Sequence, residues 1–284
     1  MKSVLRDLVA LAKPRVTSLV LVTTAGGMWL APQGISLARA LVTLLGTALA
    51  VASANTLNCW LERDVDGRME RTRHRPLPAG RLAPRLALLS GVTLGLVSVP
   101  TMLLGANVLT AALGVVALVS YVAIYTPLKL RSPKALLVGA VPGALPPLMG
   151  WTAVTGHLEA PGLVLFAILF LWQLPHFIAI ALYRKKDYAM AGIQVTPVAR
   201  GDRVAKMHAL AWTVLLVPVS LMLGPLGVAG PGYLVVAGIL GATFLLWTAA
   251  GLREASDRLW ARRLFHVSLG YLTLLFAALG VFAV

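Results

Sequence analysis

Nine stretches of about twenty mostly apolar residues, over 16–33, 37–61, 86–104, 107–126, 135–155, 162–183, 207–224, 232–252 and 264–284, divide this chain. Each is long enough to cross the hydrocarbon core of a bilayer as a helix. Nothing else constrains the fold as tightly, because backbone in lipid must satisfy its own hydrogen bonds, which helices and closed barrels alone achieve. The stretches exceed strand length and alternate weakly with period two, so an all-α, polytopic membrane protein is expected rather than a barrel. Composition agrees: the 284 residues are 58% apolar and 12% charged with a mean hydropathy of +0.84, where a soluble domain carries roughly 25% charge. Disorder is excluded by the same figures, and a disulfide scaffold by the single cysteine, Cys59, which reads as a small packing residue. No internal repeat or separate soluble domain is visible, so residues 1–284 read as one intramembrane domain. The basic, mixed segment up to Arg15 is followed by no small-residue cleavage site and reads as part of the mature chain.

The formal charge of +15 invites a nucleic acid or a membrane as partner, and its distribution decides between them. Of 25 Lys and Arg, 24 fall on alternate connections, starting with Lys2, Arg6, Lys13 and Arg15; only Arg39 lies on the opposite face. Nine of ten acids follow them, Glu159 being the exception. By the positive-inside rule the N-terminus is cytoplasmic and the C-terminus outward, in a bacterial-type cytoplasmic (inner) membrane. The cations sit in short loops without interleaved aromatic platforms, so no nucleic acid is expected as a partner. Gly and Pro within the spans, such as Gly26-Gly27 and Pro146-Pro147, allow close packing and kinks.

The two longest connections lie on the basic face, over 62–85 and 184–206, and the first carries the strongest chemical signal. In NTLNCWLERDVDGRMERTRHRPLPAGR, from Asn55 to Arg81, residues Asn58, Glu62 and Asp66 are four apart. While the segment stays helical they form one polar stripe. Such oxygen ligands suit Mg²⁺, which takes one or two carboxylates and completes its shell with water and substrate phosphates. Arg68, Arg71, Arg73, Arg75 and Arg81 follow, and guanidinium groups grip anions that carboxylates alone would repel. A metal-bound polyphosphate at a membrane surface is the expected ligand.

Lys129 and Arg131, in YTPLKLRSPK, would add positive charge beside that site. In LWQLPHFIAIALYRKKDYAMAGIQVTP, Asp187 stands among Arg184, Lys185 and Lys186, and reads as a second half facing Glu62 and Asp66. His176, after Pro175, is either an iron ligand or bonded to a carbonyl freed by that proline, and Gln173 is placed to hydrogen-bond a substrate. His74, His157, His208 and His266 lack metal-ligand spacing, so zinc is not supported.

NCWLERDVDGRMERTRHRPLPAG resembles the first aspartate-rich motif of the UbiA superfamily of intramembrane prenyltransferases. WQLPHFIAIALYRKKDYAMAGIQVTP is similar to the haem O synthase branch, as are LAKPRVTSLVLVTTAGG and YTPLKLRS. The resemblance implies nine transmembrane helices around a central cavity open to lipid, and prenyl transfer from a diphosphate bridged by Mg²⁺ to acidic side chains. It matches Asn58, Glu62 and Asp66 to the metal and diphosphate motif, with Glu62 and Asp66 as the metal ligands. Arg71 and Arg75 match its basic continuation, and Lys129, Lys186 and Asp187 match other polar positions round the cavity. Farnesyl diphosphate and haem B are the implied substrates, with a downstream haem-modifying enzyme as a candidate recipient of the product. Glu62 departs from the more frequent Asp, by one methylene and no charge. A second pair of aspartates four apart is missing, since Tyr183 and Ala191 flank Asp187, and this counts against a quinone precursor as acceptor. The remaining alternative of a different class is a permease whose charges line a path.

Overall fold

The computed structural model describes residues 2–254 and 257–284. Helix α1 (Lys2–Leu11) meets α2 (Pro14–Leu30) at a 46° bend. Pro14 lacks an N–H and disfavours helical backbone in the residue before it, so Lys13 takes a left-handed conformation with φ 49° and the chain turns there. Ser36 caps α3 (Leu37–Leu61), its Oγ accepting from the Arg39 N–H. The short α4 (Arg63–Asp66) follows at once, and after a long loop come α5 (Pro84–Gly105) and α6 (Val108–Val119). A π-helical turn over Ser120–Tyr125 joins α6 to α7 (Thr126–Leu128). Then come α8 (Ala135–Thr155), α9 (Ala160–Tyr183), the short α10 (Lys185–Met190) and α11 (Thr196–Ala199), and finally α12 (Asp202–Leu221), α13 (Pro231–Ala250) and α14 (Asp257–Phe282).

Among the described residues, eight helical runs are long and apolar enough to cross a membrane, and the bent α1–α2 pair makes a ninth. They fall on the nine stretches read from the sequence. Three begin well before their expected starts: the bent pair at Val4, since α1 precedes the bend, and two others at Asp202 and Asp257, whose charged first turns hydropathy alone cannot see. Large apolar side chains stay exposed on the outside, among them Leu19, Val22, Leu96, Ile239 and Leu246, which is the surface a lipid solvent calls for.

Of the eight unbent runs, α8 and α9 are the most enclosed, with 67% and 61% of their apolar windows buried against at most 33% for the other six. On one side α8 shares a core with α3, α5 and α6 through Ala50, Met102, Ala111, Leu145 and Met149. On the other, α9 shares a larger core with α12, α13 and α14, where Tyr233, Phe244, Leu216, Leu264 and Leu275 are fully buried. Without a hydrophobic drive in lipid, small residues let helices approach. Gly27 of α2 lies against the Pro147 carbonyl of α8, and Gly150 of α8 against the Thr24 carbonyl of α2; a Cβ at either would overlap backbone. The lone opposing cation, Arg39, donates to the Gly105 and Ala106 carbonyls at 3.3 and 3.1 Å, satisfying the C-terminal end of α5.

Candidate functional site

The polar stripe survives the end of α3. Although the helix stops at Leu61, the Glu62 N–H donates to the Asn58 carbonyl at 3.0 Å and the Asp66 N–H to the Glu62 carbonyl at 2.7 Å, so helical bonding threads the junction. Asn58, Glu62 and Asp66 are therefore aligned, and all three are buried, at 3%, 5% and 1% exposure. Charged groups so enclosed must be paired. Each carboxylate has one cation: Glu62 Oε1 faces the Lys129 ammonium, and Asp66 Oδ2 accepts from Arg75 Nη1 at 2.7 Å. Glu62 Oε1 has no other partner among the described residues, and neither Glu62 Oε2 nor Asp66 Oδ1 has any.

Asn58 is occupied differently. Its Oδ1 accepts from the Lys13 ammonium at 3.4 Å, and its Nδ2 donates to Thr126 Oγ1 at 3.1 Å. Thr126 Oγ1 in turn donates to the Tyr121 carbonyl at 2.8 Å, across the π turn. One side chain thus braces the α1–α2 bend, α3 and the segment carrying Lys129. Tyr121 and Tyr125 lie together, with ring centroids 5.3 Å apart and the Lys129 ammonium 5.9 Å above the Tyr125 ring. The Tyr125 ring lies against Gly139 of α8, where a Cβ would intrude on it.

The two long loops of the basic face meet beside these residues. Val65 and Met69 of the first pack with Tyr188, Ala191, Ile193 and Val195 of the second, and the Gln194 N–H donates to the Lys129 carbonyl at 3.0 Å. Burial pushes the Tyr188 hydroxyl above the ordinary tyrosine value, partly opposed by the Arg71 guanidinium. Arg71, Arg131 and Lys186 are exposed. Asp187 is held at 3.6 Å by Arg184 Nη1 within its own turn. No three His, Cys, Asp or Glu side chains converge as a metal-binding group among the described residues, so the site offers a carboxylate pair rather than a larger cage.

Gln173 and His176 lie deeper on α9, and both are buried. Gln173 Nε2 donates to the Ala140 and Leu169 carbonyls at 3.3 and 3.0 Å, with its Oε1 against Gly143. His176 pairs through Nδ1 with Ser268 Oγ of α14 at 2.8 Å, not with a carbonyl released by Pro175, and its ring lies between Trp172 and Phe265 at centroid distances of 4.7 and 4.8 Å. Its Nε2 has no hydrogen-bond partner among the described residues. Sequence reasoning did not single out Lys13, Tyr121, Tyr125 or Thr126 for the site. The bend that delivers Lys13 is signalled by Pro14, and the missing N–H of Pro127 is the one local sign of irregular backbone near the tyrosines. Cys59 packs among Leu11, Leu77, Leu82 and Ala87, as expected.

Residues 20–270 match the model of the UbiA prenyltransferase family. The chain is 55% identical over 279 residues to a protoheme IX farnesyltransferase of Myxococcus xanthus, covering 98% of this chain and 95% of that protein. It is likewise 55% identical over 274 residues to a protoheme IX farnesyltransferase of an Anaeromyxobacter species, covering 96% and 92%. Among solved structures, one from work on a digeranylgeranylglyceryl phosphate synthase superposes with a TM-score of 0.82 at 17% identity, over 99% of this chain and 98% of that one. A UbiA homologue from Archaeoglobus fulgidus bound to GPP and Mg²⁺ gives 0.68 at 18% identity, over 96% and 99%. Buried carboxylates on an unbroken polar stripe, membrane-crossing helices and these matches over nearly the whole length agree, and the chain belongs to the UbiA prenyltransferase family.

Proposed function

We propose that this chain transfers a farnesyl group from farnesyl diphosphate to a vinyl group of protohaem IX, giving haem O. The relatives carrying the name protoheme IX farnesyltransferase support the reaction and its acceptor. The single observation in the fold that carries the chemistry is the Glu62–Asp66 pair: two buried carboxylates, each with one oxygen held by a cation and another open. That donor set fits Mg²⁺, which is content with two carboxylates when phosphate oxygens fill the remaining positions, and the A. fulgidus homologue holds GPP with Mg²⁺. When bound there, the ion would neutralise negative charge developing on departing diphosphate.

The protein's own groups do the rest. Lys129 and Arg75 pair with the two carboxylates, and with Arg71, Lys186, Arg131 and Lys13 they leave the site net positive toward a diphosphate. Asn58 fixes the segment from which Lys129 projects. As the allylic carbon–oxygen bond breaks, the Tyr121 and Tyr125 faces shield the positive charge left on the prenyl carbon and exclude water from it. The terminal vinyl carbon attacks that carbon as pyrophosphate leaves, and water adds to the other vinyl carbon, the one bonded to the ring, and loses a proton. His176 Nε2 is the group available to the haem iron, with Gln173 beside it on α9, and Asp187 orders the cations of its loop through Arg184. The site lies at the cytoplasmic face of the inner membrane, N-terminus inside and C-terminus outside, and the product passes to a downstream haem-modifying enzyme. Membranes incubated with farnesyl diphosphate, Mg²⁺ and haem B should yield a more hydrophobic haem by chromatography, and a chelator such as EDTA should stop its formation until Mg²⁺ is restored. Prenylation of a quinone precursor in place of haem B would refute the acceptor.

A further inference from the structure

A second polar recess lies on the basic face, away from the carboxylate pair. It is a cavity of about 300 Å³ between the end of α9 and the start of α14, lined by Tyr183, Arg184, Arg258, Arg262, Phe265 and His266. Three guanidinium groups round one hollow make a site for anions, since a planar fork matches a carboxylate in bidentate geometry. Arg184 already has Asp187 at 3.6 Å and lies over the Tyr183 ring. Arg258 and Arg262 make no ion pair among the described residues, and being four apart they occupy one face of α14. The diphosphate site does not use either of them.

The recess is continuous with the aromatic seam that holds His176. Phe265, in its wall, lies 4.8 Å from the His176 ring and 6.0 Å from the Tyr183 ring by centroids, and the His176 ring stacks on Trp172. A flat, apolar acceptor with acidic groups along one edge would therefore find cations for that edge, aromatic faces for its body, and an imidazole with a free Nε2 between them.

We propose that Arg258 and Arg262 are a specificity site for the acceptor, binding the two carboxylates of its propionate side chains and so fixing which edge of the macrocycle turns toward the prenyl donor. This rests on the acceptor being a dicarboxylate porphyrin, as in the function proposed above. The shared chemistry of the recess is an anion, and the phosphate of a lipid headgroup is the competing source.

The test uses the full-length enzyme in nanodiscs, with haem B and its dimethyl ester as acceptors. The Arg258→Gln, Arg262→Gln double variant should raise KM for haem B about 10- to 100-fold, the loss of charge-assisted hydrogen bonds, with KM for farnesyl diphosphate unchanged. The wild type should show the same handicap on the dimethyl ester, and the variant should no longer distinguish ester from acid. Arg262→Lys should restore part of the preference, and a haem B titration followed in the Soret band should show the weaker binding independently of turnover. An unchanged KM for haem B, or a variant equally impaired on acid and ester, would overturn the proposal. So would a defect that appears in phosphatidylglycerol discs, is absent in phosphatidylcholine discs and ignores esterification, since that assigns the recess to lipid. A wild type that farnesylates neither haem would refute the acceptor reading itself, a failure recognisable before any variant is made.

Discussion

At the scale of single residues, the carboxylates are held by unequal partners. Glu62 is 5% exposed and the Lys129 side chain 18%, so removing one charge strands the other in a poor solvent. Lys129→Met should therefore lower stability by about 3 kcal/mol, the usual cost of breaking a buried pair. The double variant Lys129→Met, Glu62→Gln should recover most of that while remaining inactive, because the metal-facing oxygen is gone; thermal unfolding in detergent and haem O yield separate the two effects. Asp66→Asn keeps the shape of its side chain but removes its charge. Turnover should fall by about 10²–10³-fold, comparable to losing one preorganised electrostatic contact, with undiminished protein in the membrane by immunoblot. Near-normal haem O production would remove Asp66 from the metal role.

Elements tell how much was legible before any coordinates. The spans could be read because each apolar run matches the thickness of a bilayer, and the Asn58, Glu62, Asp66 stripe because a spacing of four survives wherever helical bonding does. Asp187 was harder: three neighbouring cations make it a poor metal site by itself, and whether it faces Glu62 and Asp66 is a matter of tertiary placement that spacing does not carry; within its own turn Arg184 Nη1 lies 3.6 Å from it. The π turn over Ser120–Tyr125 was not legible, since no residue in SYVAIY demands it; the Thr126 N–H reaches five residues back to the Tyr121 carbonyl because tertiary partners, Asn58 and the glycine at 139, favour that register. Backbone contact between helices is likewise a tertiary fact. Gly150 carries no mark of its own in the sequence, yet the Thr24 carbonyl fills the space where its Cβ would stand. Gly150→Ala should force α2 and α8 apart and cost about 1–3 kcal/mol, seen as a lower unfolding temperature. Gly238→Ala, in open space on α13, should leave that temperature unchanged.

For the molecule as a whole, the arrangement of charge predicts which compartment supplies the prenyl donor. All but one of the 25 Lys and Arg lie on the face that carries the carboxylate pair, and the exception, Arg39, is engaged by the carbonyls ending α5, so it caps a helix rather than argues for the other orientation. The positive-inside bias predicts a cytoplasmic basic face, because short loops obey it best. The lone cysteine helps the test: Cys59 is 3% exposed and should stay silent toward a maleimide. A cysteine placed at Gly34, in open space on the connection between α2 and α3, should react with a membrane-impermeant maleimide on intact cells. One at Arg73, exposed in the long loop after α4, should react only after the cells are permeabilised. The reverse pattern would put the carboxylate pair outside the cytoplasm, cut off from a soluble diphosphate and from the Mg²⁺ that accompanies it.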